Sequence, residues 1–113
     1  MKGQALKGHL DLLVLAVLGE GPRHGYAVIE LLKERSNDLF DLPEGTVYPV
    51  LHRLEKAGLL VSDWSNDGAR PRRTYRLTDS GREALVEQRT AWERFSGAVG
   101  SVLGANHPWP KLT

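Results

Sequence analysis

Apolar residues recur at helical spacing in three segments of the first half of the chain. These segments run from Ala5 to Leu18, from Gly25 to Arg35 and from about Pro43 to Ala57. In the third, the inward face consists of Val47, Val50, Leu51 and Leu54, spaced i, i+3, i+4 and i+7. Turn residues end the segments, namely Gly19-Glu20-Gly21-Pro22, Ser36-Asn37-Asp38 and Gly58. The pattern predicts three consecutive helices. The first, broadened by Leu12, Leu15 and Leu18, is predicted to be contacted on more than one side.

The periodicity changes beyond Gly58. Leu59–Trp64 and Arg72–Leu77 read as two strands joined at the turn Asn66-Asp67-Gly68. Alternation places Arg73, Tyr75 and Leu77 on one face of the hairpin. A long helix follows and extends to about Gly104. Ser80, in a capping box with Glu83, and Thr78 are alternative N-caps of that helix.

These elements predict an α+β fold that is mainly α. We expect a winged helix-turn-helix domain over residues 1–78, with three helices and a two-stranded wing. A long C-terminal dimerisation helix would occupy residues 79–104, and residues 105–113, which contain Pro108 and Pro110, would form a flexible tail. In such a fold the third helix enters a groove of DNA and the hairpin lies beside it.

Composition narrows the class of protein. The chain has 113 residues, 41% of them hydrophobic and 26% charged, which is typical of one globular domain and not of a disordered chain. It contains no cysteine, which fits a reducing compartment. The apolar run Leu12–Leu18 is far shorter than the ~18–20 residues that span a bilayer, and His9 and Asp11 interrupt it as a signal sequence. We therefore expect a cytoplasmic protein.

Positive charge is concentrated in one part of the chain. The net charge is only +1. Between Gly45 and Arg76, however, six basic residues face three acidic ones, and the densest cluster is Arg70-Pro71-Arg72-Arg73 at the predicted hairpin tip. An arginine-rich tip at this position neutralises phosphates or enters a minor groove of DNA.

The outer face of the third helix carries side chains suited to a DNA groove, namely Thr46, Tyr48, His52, Arg53 and Lys56. An arginine such as Arg53 donates two hydrogen bonds to guanine, and the other side chains bond base edges or phosphates. From the pattern alone, an ordinary solvated helix face beside a charged hairpin explains these residues equally well.

Three short sequence motifs favour the DNA-binding interpretation over that of an ordinary solvated face. They are Pro22–Tyr26 (PRHGY), Gly45–Leu60 (GTVYPVLHRLEKAGLL) and Arg72–Gly81 (RRTYRLTDSG). Together, in this order and at these spacings, they resemble the PadR family of bacterial transcriptional regulators over roughly residues 8 to 95. Thr74 separates Arg72-Arg73 from the aromatic Tyr75, a small departure from the family pattern.

The resemblance implies a winged-helix repressor that dimerises through its C-terminal helix and leaves its operator when a small molecule binds. It places Thr46, Tyr48, His52 and Arg53 in the recognition helix. Arg70, Arg72 and Arg73 fall in the wing. The short C-terminal part resembles the small subfamily with a single dimerisation helix.

The last predicted helix carries an apolar seam. Leu85, Trp92 and Val99 repeat every seven residues, as do Phe95 and Val102. Because a monomer rarely exposes such a patch, we predict a two-fold homodimer and a palindromic operator. Trp92 either closes the dimer core or forms, with its symmetry mate, a slot for a planar aromatic effector. The neighbours predicted for such a slot are Phe95, Gln88 and Leu13.

Catalytic and metal-binding patterns are missing from the sequence. His9, His24, His52 and His107 lie in different segments without metal-ligand spacing. We therefore expect no enzyme activity, no metal and no cofactor. Two alternatives to a ligand-responsive regulator remain, a winged-helix module that binds protein and a DNA-binding protein that takes no effector. The salt dependence of DNA binding and a ligand screen distinguish them.

Overall fold

The computed structural model describes residues 6, 8–66 and 70–104. In this part of the chain the helices are α1 (Leu10–Leu18), α2 (Gly25–Arg35), α3 (Glu44–Lys56) and α4 (Asp79–Gly104). The strands are β1 (Arg23–His24), β2 (Leu60–Ser65) and β3 (Arg72–Leu77). The predicted fold class, a winged helix-turn-helix followed by a long helix, is confirmed.

The sheet has one strand more than the predicted hairpin. Its order is β1-β3-β2, with both pairs antiparallel. The hairpin of β2 and β3 pairs Leu60 with Leu77 and Trp64 with Arg73, while β1 pairs Arg23 with Tyr75. The two residues of β1 carry no alternating pattern of their own. They form a strand because folding places them beside the free edge of β3. The local sequence does not specify this pairing.

The core forms around α1. Val14 and Leu15 of this helix are fully buried, together with Val28 of α2 and Val47 and Leu51 of α3. The helix contacts α2, α3, α4 and β3, which confirms the prediction of a helix covered on several sides. All four predicted inward residues of α3 are buried, so its opposite face is held outward.

The connection from α3 to the wing is a left-handed turn. Gly58 has φ +83°, and the N–H of Leu59 donates to the carbonyl of Leu54 at 3.0 Å. The N–H of Gly58 donates to Glu55 at 3.0 Å. Together these bonds form the Schellman arrangement that a glycine at this position allows.

Thr78, and not Ser80, caps α4. Its hydroxyl accepts a hydrogen bond from the N–H of Gly81 at 3.0 Å and donates one to the carbonyl of Gly58 at 2.7 Å. The alternative capping box beginning at Ser80 is therefore wrong. Asp79 begins the helix, where its carboxylate favours the positive end of the helix dipole. Thr78 prevails because its hydroxyl also satisfies the carbonyl of the Gly58 turn.

The described part of the chain is elongated, with principal extents of 56 × 28 × 24 Å. In the described ranges, no helix combines the length and the apolar character needed to cross a membrane. Three predictions fall outside the described residues: Ala5 as the first residue of the first helix, Asp67-Gly68 in the hairpin turn, and the flexible tail 105–113.

Candidate nucleic-acid interface

The outward face of α3 is exposed beside the wing. His52, Arg53 and Lys56 are exposed, and Thr46 is half-buried near the start of the helix. Pro49 lies inside the helix, where it has no N–H to donate to the Gly45 carbonyl. The buried opposite face fixes the rotation of the helix, so these side chains point to solvent together.

Arg53 is paired with a residue of another helix. Its Nη1 and Nη2 donate to the two carboxylate oxygens of Asp11 in α1, at 3.0 and 2.6 Å. These hydrogen bonds raise the pKa of the Arg53 guanidinium above its usual value. Sequence reasoning placed Arg53 on this face but did not find Asp11, because the two residues are 42 positions apart.

Tyr48 packs between α2 and α3 and is not fully exposed on the outer face of α3. It is half-buried, and its ring packs on Gly25 so closely that a Cβ there would lie 2.7 Å from the Tyr48 Cε1. Burial, and secondarily the charge of Glu44, raises the pKa of Tyr48, so its hydroxyl stays protonated at neutral pH. The residue is available as a donor from a fixed position.

Arg73 ties the wing to α3. Its Nε donates to the Ser62 hydroxyl at 2.7 Å, and its Nη2 lies 3.7 Å from a carboxylate oxygen of Glu55. Ser62 in turn donates to that same oxygen at 2.6 Å. The guanidinium also lies 5.4 Å from the centre of the Trp64 ring. Arg73 therefore sets the position of β2 and β3 against the recognition helix.

The remaining basic residues of this region differ from Arg53 and Arg73 in their ion pairing. Arg70, Arg72 and Lys56 are exposed, and none of them pairs with a carboxylate elsewhere in the described ranges. Arg76 on the other face of the hairpin pairs with Asp63. The basic segment predicted as one cluster thus consists of paired arginines with fixed positions and unpaired cations at the surface.

A groove of about 750 Å³ lies between α2, α3 and the wing. Its lining includes Tyr26, Tyr48, His52, Trp64, Arg70 and Arg72. Trp64 is 65% exposed and Tyr26 58% exposed, and sequence reasoning singled out neither. Trp64 was detectable in principle, because alternation from the buried Leu60 places it on the same strand face as Arg73. An aromatic and cationic groove of this kind fits a nucleic-acid backbone.

The apolar seam of α4 divides into two parts. Leu85 packs against its own chain, since a Cβ at Gly19 would lie 2.7 Å from its Cδ2. Trp92, Phe95, Val99 and Val102 are exposed, by 42%, 59%, 39% and 86%. Leu85 therefore contacts α1 within its own chain, and the other four residues form the uncovered surface.

A second groove, of about 410 Å³, separates α1 from α4. His9, Asp11, Leu12, Gln88, Trp92 and Phe95 line it. The His9 ring meets Trp92 edge-on, with centres 5.1 Å apart. Leu13, predicted as a neighbour of Trp92, packs against the core instead, and Leu12 lines the groove in its place.

Metal-ligating side chains do not converge in the described residues. No three His, Cys, Asp or Glu side chains there are placed to hold a metal ion. His24 lies 3.1 Å from the Thr74 hydroxyl, and His9 contacts Trp92, so both have partners of another kind.

Comparison with known proteins gives a consistent answer. Residues 14–87, more than half of the chain, match the family model described as the transcriptional regulator PadR-like family. A relative, transcriptional regulator Rv3488 of Mycobacterium tuberculosis, is 46% identical over 69 residues, which cover 61% of this chain and 64% of that protein.

Solved structures agree with the sequence match. The PadR family transcriptional regulator of Eggerthella lenta is 38% identical with a TM-score of 0.79, covering 91% of this chain and 88% of that one. A PadR-like transcriptional regulator of Bacillus cereus is 28% identical with a TM-score of 0.80, covering 91% and 99%. The chain described here therefore belongs to the PadR-like family of transcriptional regulators, and it is a DNA-binding regulator and not an enzyme.

Proposed function

We propose that this protein is a homodimeric repressor that binds a palindromic operator and is released by a small planar aromatic effector. The observation that carries the DNA-binding geometry is a group of cations beside α3 that pair with no carboxylate in the part of the chain that the structure describes. Lys56 lies on the helix, and Arg70 and Arg72 lie on the wing. The proposal places α3 in the major groove, with Thr46, Tyr48, His52 and Arg53 near base edges and the unpaired cations on phosphates.

The exposed part of the α4 seam supports the two-fold assembly. Trp92, Phe95, Val99 and Val102 form an apolar strip whose members are 39% to 86% exposed in the single chain. Pairing this strip with its copy removes it from water. Two recognition helices related by that axis would read successive major grooves if they stand about 34–36 Å apart. The two-fold symmetry of the dimer requires a palindromic or nearly palindromic site, and the spacing sets the separation of its half-sites.

The groove between α1 and α4 supports the effector. It holds two aromatic side chains, Trp92 and Phe95, whose rings are 6.3 Å apart. It also lies at the junction between the proposed dimer helix and the helix that contacts α3. A ligand there changes DNA affinity only if it binds the DNA-competent and DNA-incompetent arrangements differently.

Selection of duplexes from a random library, followed by footprinting on the selected sequence, tests this proposal. We expect an enriched site with two-fold symmetry and protection of two half-sites. A reporter gene placed downstream of that site should be expressed less when the protein is present. No enrichment at low ionic strength would contradict DNA readout, and enrichment with higher reporter expression would contradict repression.

The alternative of a protein-binding winged helix makes the opposite prediction. If the wing contacts protein, DNA affinity should show no linear fall with the logarithm of salt concentration. The alternative of a regulator without an effector predicts that planar aromatic compounds neither bind the dimer nor change its affinity for the selected duplex.

A further inference from the structure

Asp11 and Arg53 form an ion pair between two helices with different roles. Asp11 belongs to α1, most of whose other residues are buried in the core, and Arg53 belongs to the exposed face of α3. The Arg53 side chain is 59% exposed, whereas that of Asp11 is only 31% exposed. Asp11 is therefore the less exposed partner of the pair, and Arg53 is the more exposed one.

The geometry leaves part of the guanidinium free. Arginine has five N–H donors in a planar fork. Asp11 accepts one hydrogen bond from Nη1 and one from Nη2, which occupies the end of the fork. Within the described residues Nε of Arg53 donates no hydrogen bond, so the edge formed by Nε and one Nη remains open. An edge with two parallel donors matches the O6 and N7 acceptors of guanine.

We propose that Asp11 is a specificity-determining residue of the DNA interface, which orients Arg53 for base readout and holds it back from phosphates. This inference depends on the proposed function, since it assumes that Arg53 faces the duplex. Asp11 acts through Arg53 and is therefore a positioning residue.

Asp11 has two physical effects, and both favour binding to the operator over binding to other DNA. A fixed guanidinium loses less rotamer freedom when it meets a base, which favours the matched site. A carboxylate close to the duplex repels phosphates and neutralises Arg53, which disfavours binding to DNA of any sequence. Both effects raise the ratio of operator affinity to non-specific affinity.

The unpaired cations provide an internal comparison. Lys56 on the same helix and Arg72 on the wing have no carboxylate partner in the described ranges. They are therefore free to follow phosphates at any sequence, and their removal should weaken matched and scrambled duplexes alike. Arg53 differs from them because its charge is already compensated and its direction is fixed.

The test compares the full-length protein with Asp11→Asn on a selected operator and on a scrambled duplex of equal length. We expect the ratio of the two affinities to fall about tenfold, as for the loss of one well-placed base contact. Affinity for the scrambled duplex should rise, and its salt slope should steepen by about one phosphate contact, because Arg53 becomes free. A merely structural role for Asp11 would not steepen that slope.

Three further variants complete the experiment. Arg53→Gln should lower the same ratio, and adding Asp11→Asn to it should produce no further loss, since Asp11 acts through Arg53. Glu20→Gln removes a carboxylate paired with Arg35 away from α3 and should leave the ratio unchanged. Thermal unfolding of each variant shows whether the winged domain is intact.

The outcomes distinguish a failure of the proposed function from a failure of the inference about Asp11. If the unmodified protein prefers no duplex, the proposed function fails and this inference fails with it. If the unmodified protein is selective and Asp11→Asn keeps its ratio and its salt slope, only the role of Asp11 is overturned. The same holds if Asp11→Asn weakens both duplexes equally.

Discussion

Gly81 in the first turn of α4 lies directly against the carbonyl group of Leu59, the residue just before β2 of the wing. A Cβ at Gly81 would overlap the Leu59 oxygen and stand 3.1 Å from the carbonyl carbon. Because Thr78 bonds the neighbouring Gly58 carbonyl, the start of α4 is fixed to the turn that ends the recognition helix. The direction of α4, and with it the distance between two recognition helices in a dimer, depends on this contact.

Gly81→Ala should therefore destabilise the protein. The added methyl group meets rigid backbone, so we expect a loss of about 1–3 kcal/mol in the free energy of unfolding, measured by urea denaturation. Gly97→Ala is the control, because a Cβ there meets nothing within 4 Å. It should stabilise the helix by up to about 1 kcal/mol. Equal stability of the two variants would contradict the close approach at Gly81.

Gly25→Ala should disturb DNA binding more than stability. Its Cβ would lie 2.7 to 2.9 Å from three atoms of the Tyr48 side chain. The ring has room to move where backbone does not, so we expect a stability loss of about 1 kcal/mol and a several-fold loss of operator affinity. Gly45→Ala, which meets nothing within 4 Å, controls for the stability effect. Unchanged operator affinity in Gly25→Ala would argue against a DNA role for Tyr48.

Arg70 and Arg72 should contribute phosphate contacts. Replacing either by Gln should reduce the slope of log affinity against log salt by about 1, measured by fluorescence anisotropy on the selected duplex. Arg35→Gln is the matched control, since Arg35 pairs with Glu20 at the far end of α2. A slope that does not change in Arg70→Gln and Arg72→Gln would mean that the wing tip does not touch phosphates.

Val102→Asp should convert the dimer into a monomer. Val102 is 86% exposed on the seam, and a charge facing its own copy costs both burial and repulsion. Sedimentation at micromolar concentration measures the result. Val86→Asp introduces the same charge at a residue that is 66% exposed and turned away from the seam, so it should remain dimeric. Dissociation of both variants, or of neither, would contradict the predicted interface.

Trp92→Ala should weaken binding of planar aromatic compounds. With proflavine as the probe, we expect at least a tenfold loss of affinity in a calorimetric titration without DNA, because the main stacking surface of the groove is removed. Trp64→Ala removes a tryptophan that is 65% exposed on the wing and should leave this affinity unchanged. If Trp92→Ala binds the dye normally, the effector does not occupy the groove between α1 and α4.

Sequence periodicity predicted the helices and strands most accurately where only one face of the element is buried. The inward residues of α3, the hairpin faces and the end of α4 at Gly104 were all predicted correctly. These features follow from local repetition, since a helix or strand with one apolar face has only one orientation that buries it. The N-cap of α4 could not be predicted from the local sequence, because Thr78 and Ser80 both carry a hydroxyl group suited to that role.

The candidate site was predicted less completely. The sequence placed Arg53 and Arg73 among the DNA-contacting residues but did not identify their carboxylate partners, Asp11 and Glu55, which lie on other elements. It assigned Leu85 to the dimer seam but did not identify the packing of that side chain on Gly19 of its own chain. Each difference depends on contacts between residues far apart in the chain, which periodicity does not encode.

The sequence by itself determined the buried face of α3, where the helices and the wing lie, and to which family the chain belongs. Hydrophobic spacing, turn residues and three short strings carry that information locally. Only the tertiary structure decided which cations are free and which are held, because an ion pair depends on the distance between side chains and not on their order. The ion pair between Asp11 and Arg53 forms only when α1 and α3 pack together.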